Sequence, residues 1–282
     1  MNMTEKIARE ESGYERALPD AAKTVIEGGA KLVLITGGSC AGKTTTTKKL
    51  SQYIRDAGRR CHTVSIDDFY KNPDDVPLDE NGVRDLEGIE SIDLAYLHEC
   101  LERLVAGREA LIPRFDFMQK RRADDYVPLT LGAGDVAVIE GLHALNPVVY
   151  ERFIDEKELY KIYLYAYSTR VSEPRLLRRL VRDFHYRDAS AEVTFSMWES
   201  VKKGEVENIE PFAETADLKI NTYFHYEKSC FVNDAREILS LLPQNSVYRP
   251  MADAILGQLA GVEQIDIGLV PENSLLWEFL KR

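Results

Sequence analysis

Short runs of aliphatic and β-branched residues alternate along this chain with longer stretches in which apolar positions recur every three or four residues. The runs at 31–36, 61–66, 109–113, 135–139, 160–166 and 218–221 read as strands. Between them, residues 44–57 place Leu50, Tyr53 and Ile54 on one helical face, and Ile92, Leu97, Leu101, Leu104 and Val105 belong to a stripe starting near Ser91. Pro174 opens a further helix with Leu176, Leu177, Leu180 and Val181. Strand and helix in alternation predict an α/β fold, a parallel sheet with helices on both faces whose ligands sit at the carboxyl ends of the strands. Residues 4–28 are charged and helix-compatible, so 1–28 read as a leading helix, 29–225 as the core and 226–282 as a C-terminal helical extension. That extension is expected to contain two helices, an extended run over 264–270 and a last helix begun by Ser274. Residues 72–90 and 114–134 interrupt the alternation and are long enough to be functional loops holding an acceptor substrate.

Composition narrows the class. At 282 residues, with 44% hydrophobic and 29% charged positions, the chain can bury one substantial core. A formal charge of -11 argues against a general nucleic-acid or anionic-membrane surface, so any cationic site must be concentrated. No apolar run approaches the roughly 20 residues that span a bilayer, and the amino-terminal stretch is charged, which makes the cytoplasm the expected location. Cys40, Cys61, Cys100 and Cys230 are scattered, with neither zinc-site nor disulfide spacing, and read as reduced thiols. A small molecule is the expected partner, and a homo-oligomer is compatible with these features.

The strongest chemical signal follows the first run. Gly37-Gly38-Ser39-Cys40-Ala41-Gly42-Lys43-Thr44 lies between a predicted strand and a predicted helix, the setting of a Walker A phosphate cradle. Backbone N–H groups and the helix amino end hold polyphosphate, Lys43 reaches the outer phosphates, and the Thr44 hydroxyl is a Mg2+ ligand; Thr45 continues the nucleotide site. ATP and Mg2+ are the ligands this predicts. Asp67 and Asp68 end the second run, and Asp67 is chosen as general base, with Asp68 divided evenly between a functional and a capping role. The run 136–139 ends in Glu140 and Gly141, where a carboxylate can join Thr44 and Asp67 around the metal. His143 is read as a structural hydrogen-bonder.

Arg175, Arg178, Arg179, Arg182 and Arg187 concentrate positive charge in an acidic chain. The first four share one broad helical face, and a lid near 175–200 is expected to bring Arg179 and Arg182 to the moving phosphoryl group and Arg187 to the nucleotide. Phe115 and Phe117, with Lys120 and Arg122 after them, join aromatic faces to cations at a strand end. These four and Asp85 are the expected acceptor contacts.

Taken in order, GGSCAGKTT from Gly37, SIDDFY from Ser65, PRFDF from Pro113, VIEGLHALN from Val138 and RLLRRLVRD from Arg175 resemble the uridine kinase and phosphoribulokinase family. The resemblance implies a P-loop NTPase three-layer sandwich with a helical lid. It also implies ATP-dependent phosphorylation of an alcohol, with Asp67 as base, Thr44 and Glu140 around Mg2+, and Arg179, Arg182 and Arg187 in the lid. The ending VPENSLLWEFLKR is similar to that of a bacterial branch in which a TGS-type domain often precedes the kinase; these 282 residues are not expected to include one. Phe115 and Lys120 stand where uridine kinases carry a tyrosine and a histidine in the nucleoside pocket. On the resemblance a uridine or cytidine kinase-like activity is the leading expectation; the lysine suits an acceptor that already bears phosphate, so a sugar or sugar-phosphate kinase is the second, and a nucleotide-binding regulatory protein is the third.

Overall fold

The computed structural model describes residues 2–78, 82, 84–169 and 173–281. Its centre is a five-stranded sheet in the order β2-β7-β1-β8-β9, formed by β1 (Leu32–Gly37), β2 (Cys61–Ser65), β7 (Val136–Glu140), β8 (Leu159–Tyr165) and β9 (Leu218–Asn221). Every pairing in it is parallel. Side chains alternate between its faces, as the pleat requires. Val33, Ile35, Val136 and Val138 enter one apolar layer, and Leu32, Leu34, Ala137 and Ile139 the other, which makes the three-layer α/β sandwich. The second layer is closed mainly by α4 (Leu94–Val105) through Leu97, Leu101 and Leu104.

The first layer is closed by α1 (Met3–Glu15), α2 (Ala17–Gly28), α3 (Lys43–Asp56), α5 (Pro174–Arg187), α6 (Ala191–Asn208), α8 (Glu227–Ser240) and α9 (Arg249–Gln258). A short helix, α7 (Glu210–Ala213), leads from α6 towards β9. The expected leading helix is therefore two helices meeting at Arg16. Pro19 accounts for the break: it has no N–H for the carbonyl of Glu15 and crowds it, so the first helix stops there. Leading and trailing segments share this layer with the sheet. Ile7, Tyr14 and Leu18 pack with Leu275, Leu276 and Phe279, and the Glu11 carboxylate accepts hydrogen bonds from both Tyr226 and Ser274.

Three further expectations are corrected. The run at 109–113 yields β3 (Ala110–Ile112), which pairs antiparallel with β6 (Val127–Leu129) outside the main sheet. Pro113 and Pro128 cannot donate to a ladder and keep these strands peripheral. The loop at 114–134 also holds a two-strand hairpin of β4 (Phe115–Asp116) and β5 (Arg121–Arg122). Finally, α4 starts beyond Ser91, whose hydroxyl bonds Gly88 in a tight turn; Asp93 caps the helix instead, accepting from the Tyr96 N–H at 3.2 Å. Among the described residues no helix is long and apolar enough to cross a membrane.

Candidate active site

A cleft of about 650 Å3 opens at the carboxyl ends of β1, β2 and β7. Its floor is the loop between β1 and α3. Gly42 there adopts φ +85, in the left-handed region that penalises a side chain, and this turn starts α3 at Lys43. Lys43 folds back over the loop, its Nζ donating to the carbonyls of Gly37 at 2.8 Å and Gly38 at 3.3 Å. Ser39, Cys40, Ala41, Gly42, Lys43 and Thr44 all line the cleft.

Two carboxylates face this floor because of strand register. Ser65 of β2 lies beside Glu140 of β7, and its hydroxyl donates to Glu140 Oε1 at 2.7 Å. The 3-10 turn Ile66–Phe69 then carries Asp67 to the same edge. Gly141 allows this approach, since a Cβ at that position would lie 2.7 Å from Ile66 Cβ. Burial, reinforced by the Asp67 charge, raises Glu140 to about 7, while Lys43 pulls it back. Asp67 is raised by burial as well, against the attraction of Lys43, with Asp68 adding to the rise and Arg187 opposing it. Burial of two adjacent acids disfavours their charged forms, and a bound cation would offset that. Among the described residues no three His, Cys, Asp or Glu side chains gather into a metal cage. Mg2+ does not need one, because it is commonly held by one or two carboxylates together with water and substrate phosphates. Thr44, Asp67 and Glu140 fit that donor set.

The arginine helix divides its labour. Arg179, Arg182 and Arg187 line the cleft, gathered by one buried carboxylate: Asp183 takes Arg179 at 3.3 Å, Arg182 at 2.6 Å and Arg187 at 3.7 Å. Arg179 also donates to the Ser39 hydroxyl at 2.8 Å. Arg175 and Arg178 support the loop from behind instead. Arg175 is bound by both oxygens of Glu205 and donates to the Ser39 carbonyl at 3.0 Å. Arg178 is fully buried, pairs with Glu227 and donates to the Cys40 carbonyl at 3.1 Å. Helical spacing alone groups these two with the cleft-facing arginines; Glu205 of α6, which holds Arg175, and Glu227 of α8, which holds Arg178, separate them.

Of the expected acceptor contacts, Phe115, Phe117 and Lys120 line the cleft, with the Phe115 ring 5.1 Å from Phe117 and 5.7 Å from Tyr70 between centroids. Asp85 and Arg122 do not. Asp85 is exposed and its carboxylate accepts from the Glu87 and Gly88 N–H groups, both at 3.0 Å, holding the loop in a turn. Arg122 is turned to Asp93 at 3.0 Å and to the carbonyls of Phe69 and Tyr70, where it ties the hairpin to the end of the Asp67 turn. Asp68 accepts from the Phe115 N–H at 3.1 Å, the bracing member of its ambiguous pair. His143 is buried, and desolvation lowers its pKa to about 4, so it is neutral.

Several cleft residues escaped sequence reasoning. Glu87 is raised by burial and feels Arg179, Asp67 and Lys43, yet it sits in a turn-rich loop with many acids and no distinguishing neighbour. Trp277 and Glu278 reach the cleft from the far end of the chain, inside the ending VPENSLLWEFLKR, whose resemblance carries no site role for them. Thr45, expected at the nucleotide, is held by Glu278: its hydroxyl lies 2.9 Å and its N–H nitrogen 3.4 Å from Glu278 Oε2.

The raised acids predict a pH effect with a definite sign. In the window between 4.5 and about 7 the folded chain holds a proton on Glu140 that the unfolded chain has lost, so Glu140 subtracts stability as pH rises through it. Buried neutral His143 works in the opposite direction below its usual 6.5, so only a difference isolates the carboxylate. In metal-free buffer the Tm of Glu140→Gln relative to wild type is expected to increase from pH 5 to pH 8. A difference that stays constant or declines would contradict the assignment.

The model of the Phosphoribulokinase / Uridine kinase family matches residues 32–226. A uridine kinase of Borrelia turicatae (strain 91E135) is 28% identical over 203 residues, which are 72% of this chain and 91% of that protein. A uridine kinase of Staphylococcus aureus (strain JH9) is 27% identical over 190 residues, 67% of this chain and 86% of its own. Among solved structures, that of a possible uridine kinase from Bacillus stearothermophilus aligns with a TM-score of 0.48 at 19% identity, covering 73% of this chain and 100% of that one.

Proposed function

Since the chain belongs to the phosphoribulokinase and uridine kinase family and is an ATP-dependent small-molecule kinase, we propose that its acceptor is a nucleoside hydroxyl, that of uridine or cytidine. The observation that carries this choice is the aromatic group of Tyr70, Phe115 and Phe117 in the cleft that also contains Asp67. Aromatic faces beside a hydroxyl-activating carboxylate suit a flat base attached to a sugar. The proteins of Borrelia turicatae and Staphylococcus aureus that match this chain are both uridine kinases, which favours the same reading.

In the mechanism we infer, backbone N–H groups of residues 38–45 and Lys43 hold the triphosphate at the amino end of α3. Thr44, Asp67 and Glu140 would hold Mg2+, which supplies charge neutralisation to the phosphates. Asp67 takes the proton of the acceptor hydroxyl as its oxygen bonds the terminal phosphorus, the bond to the bridging oxygen breaks, and ADP leaves. Arg179 and Arg182 stabilise the negative charge spread over the moving phosphoryl group. Asp183 pairs with both and holds them together at the cleft.

A sugar or sugar-phosphate acceptor is favoured by one feature, the presence of Lys120 and Lys71 in the lining of the same cleft as the aromatics. Labelled ATP offered with uridine, cytidine, purine nucleosides and phosphorylated pentoses separates the two. Rapid labelling of uridine or cytidine is expected; exclusive labelling of a sugar phosphate would overturn the nucleoside assignment.

A further inference from the structure

The last ordered turn of the chain is built into the nucleotide cradle. Leu275, Leu276, Phe279 and Leu280 are fully buried, so the turn Leu275–Glu278 is locked to the core rather than laid over the surface. Its orientation is fixed from several sides. The Ser274 hydroxyl caps the Leu276 N–H at 3.1 Å, Trp277 Nε1 donates to the Pro271 carbonyl at 2.7 Å, and the Tyr186 hydroxyl of α5 donates to the Leu280 carbonyl. Leu275 also approaches the phosphate loop, since a Cβ on Gly42 would stand 3.6 Å from its Cδ1. The segment lies outside the residues matched by the family model.

This scaffold aims one charge at the amino end of α3. Glu278 Oε2 takes the Thr45 hydroxyl at 2.9 Å and lies 3.4 Å from its backbone nitrogen. Those are donors of the kind that hold phosphate oxygens in a cradle at a helix start. A second acid, Glu205, takes the Ser39 N–H at 3.0 Å, but it is neutralised by the two-pronged grip of Arg175. Glu278 has no cation at ion-pair distance among the described residues, and it remains half-buried with one side open to the cleft. Its charge reaches across the site, where it raises Glu140 and Arg182.

We propose that Glu278 is a built-in competitor of the triphosphate, holding the Thr45 donors in the nucleotide-free protein and yielding them when a phosphate oxygen arrives. The C-terminal segment thereby sets nucleotide affinity from outside the family core. The inference rests on the nucleotide-cradle reading of residues 37–45. Exchange of one anion for another at the same donors keeps the helix end satisfied in both states, and the negative charge of Glu278 opposes the incoming phosphates. Nucleotide binding is weakened without loss of cradle geometry.

Calorimetric titration of ATP and ADP, with Mg2+, into wild type, Glu278→Gln and Glu263→Gln tests this. Glu263 is exposed in the same extension and controls for the loss of one negative charge. Glu278→Gln is expected to tighten both nucleotides by about five-fold. Glu263→Gln should stay within about two-fold of wild type. The nucleotide-free Tm of Glu278→Gln should fall, because its helix cap is weakened; a merely structural role gives that fall without the gain in affinity. Glu278→Asp, which keeps the charge but shortens its reach, should lie between. Unchanged or weaker binding by Glu278→Gln, with wild type binding normally, would overturn the competitor role alone. Absence of ATP binding by every protein would overturn the cradle reading with it.

Discussion

Asp67→Asn should lower the turnover of phosphoryl transfer by about 10²- to 10⁴-fold, the usual contribution of a positioned general base, while ATP affinity stays close to that of wild type. The expectation follows from where the side chain stands. Asp67 ends the β2 turn beside Glu140 and within the field of Lys43, and it lines the cleft shared with the aromatic acceptor wall. An amide of the same shape cannot take the acceptor proton. It leaves Lys43, the loop N–H groups and the α3 amino end untouched, so nucleotide binding has little reason to change. Steady-state kinetics separates the effects: kcat should fall and the KM for ATP should hold, the signature of an interaction made in the transition state. Unchanged kcat would remove Asp67 as the base. Part of the loss would come from weaker metal binding, and raising Mg2+ should restore only that part.

The second large effect is on stability. Arg178→Met should destabilise the fold by about 3–5 kcal/mol, the cost of stranding a buried charge. Arg178 and Glu227 are 0% and 1% exposed at the side chain, and they meet at 2.7 Å. The same guanidinium holds the Cys40 and Thr222 carbonyls, at 3.1 and 2.6 Å, and lies over the Phe279 ring at 5.3 Å. Removing it leaves Glu227 uncompensated in the core, where burial already raises its pKa. Arg178→Met combined with Glu227→Leu should recover much of the loss, since neither charge of the pair then remains. Denaturant unfolding of the two single variants and the double variant gives the coupling. A single-variant loss below about 1 kcal/mol, the range of an exposed pair, would contradict a structural role for this arginine.

What could be read from the chain follows the range of the interactions involved. The phosphate loop was legible because its chemistry is local: a strand, a glycine-rich turn and a helix start in sequence. The parallel sheet was legible for a similar reason, since each strand announces itself within a few residues. Helical spacing groups Arg178 with its neighbours on one broad face but gives that face only to within a turn, and the choice between cleft and core depends on Glu227, 49 residues away. Asp85 and Arg122 were drawn into the acceptor site by their charge. Local turn geometry in one case, and a contact with Asp93 in the other, had stronger claims on them. Glu278 was invisible because its meaning comes from Thr45, 233 positions earlier, and the likeness of the ending VPENSLLWEFLKR to a family branch says nothing of that contact.

We propose that a triphosphate sits at the amino end of α3 with Asp67 directed at an acceptor hydroxyl. A crystal structure with Mg2+, a non-hydrolysable ATP analogue and uridine measures this directly. The terminal phosphate should lie against Lys43, with a nucleoside hydroxyl within hydrogen-bonding distance of the Asp67 carboxylate. Nucleotide bound away from residues 37–45, or Asp67 turned from the terminal phosphate with the acceptor elsewhere, would contradict it.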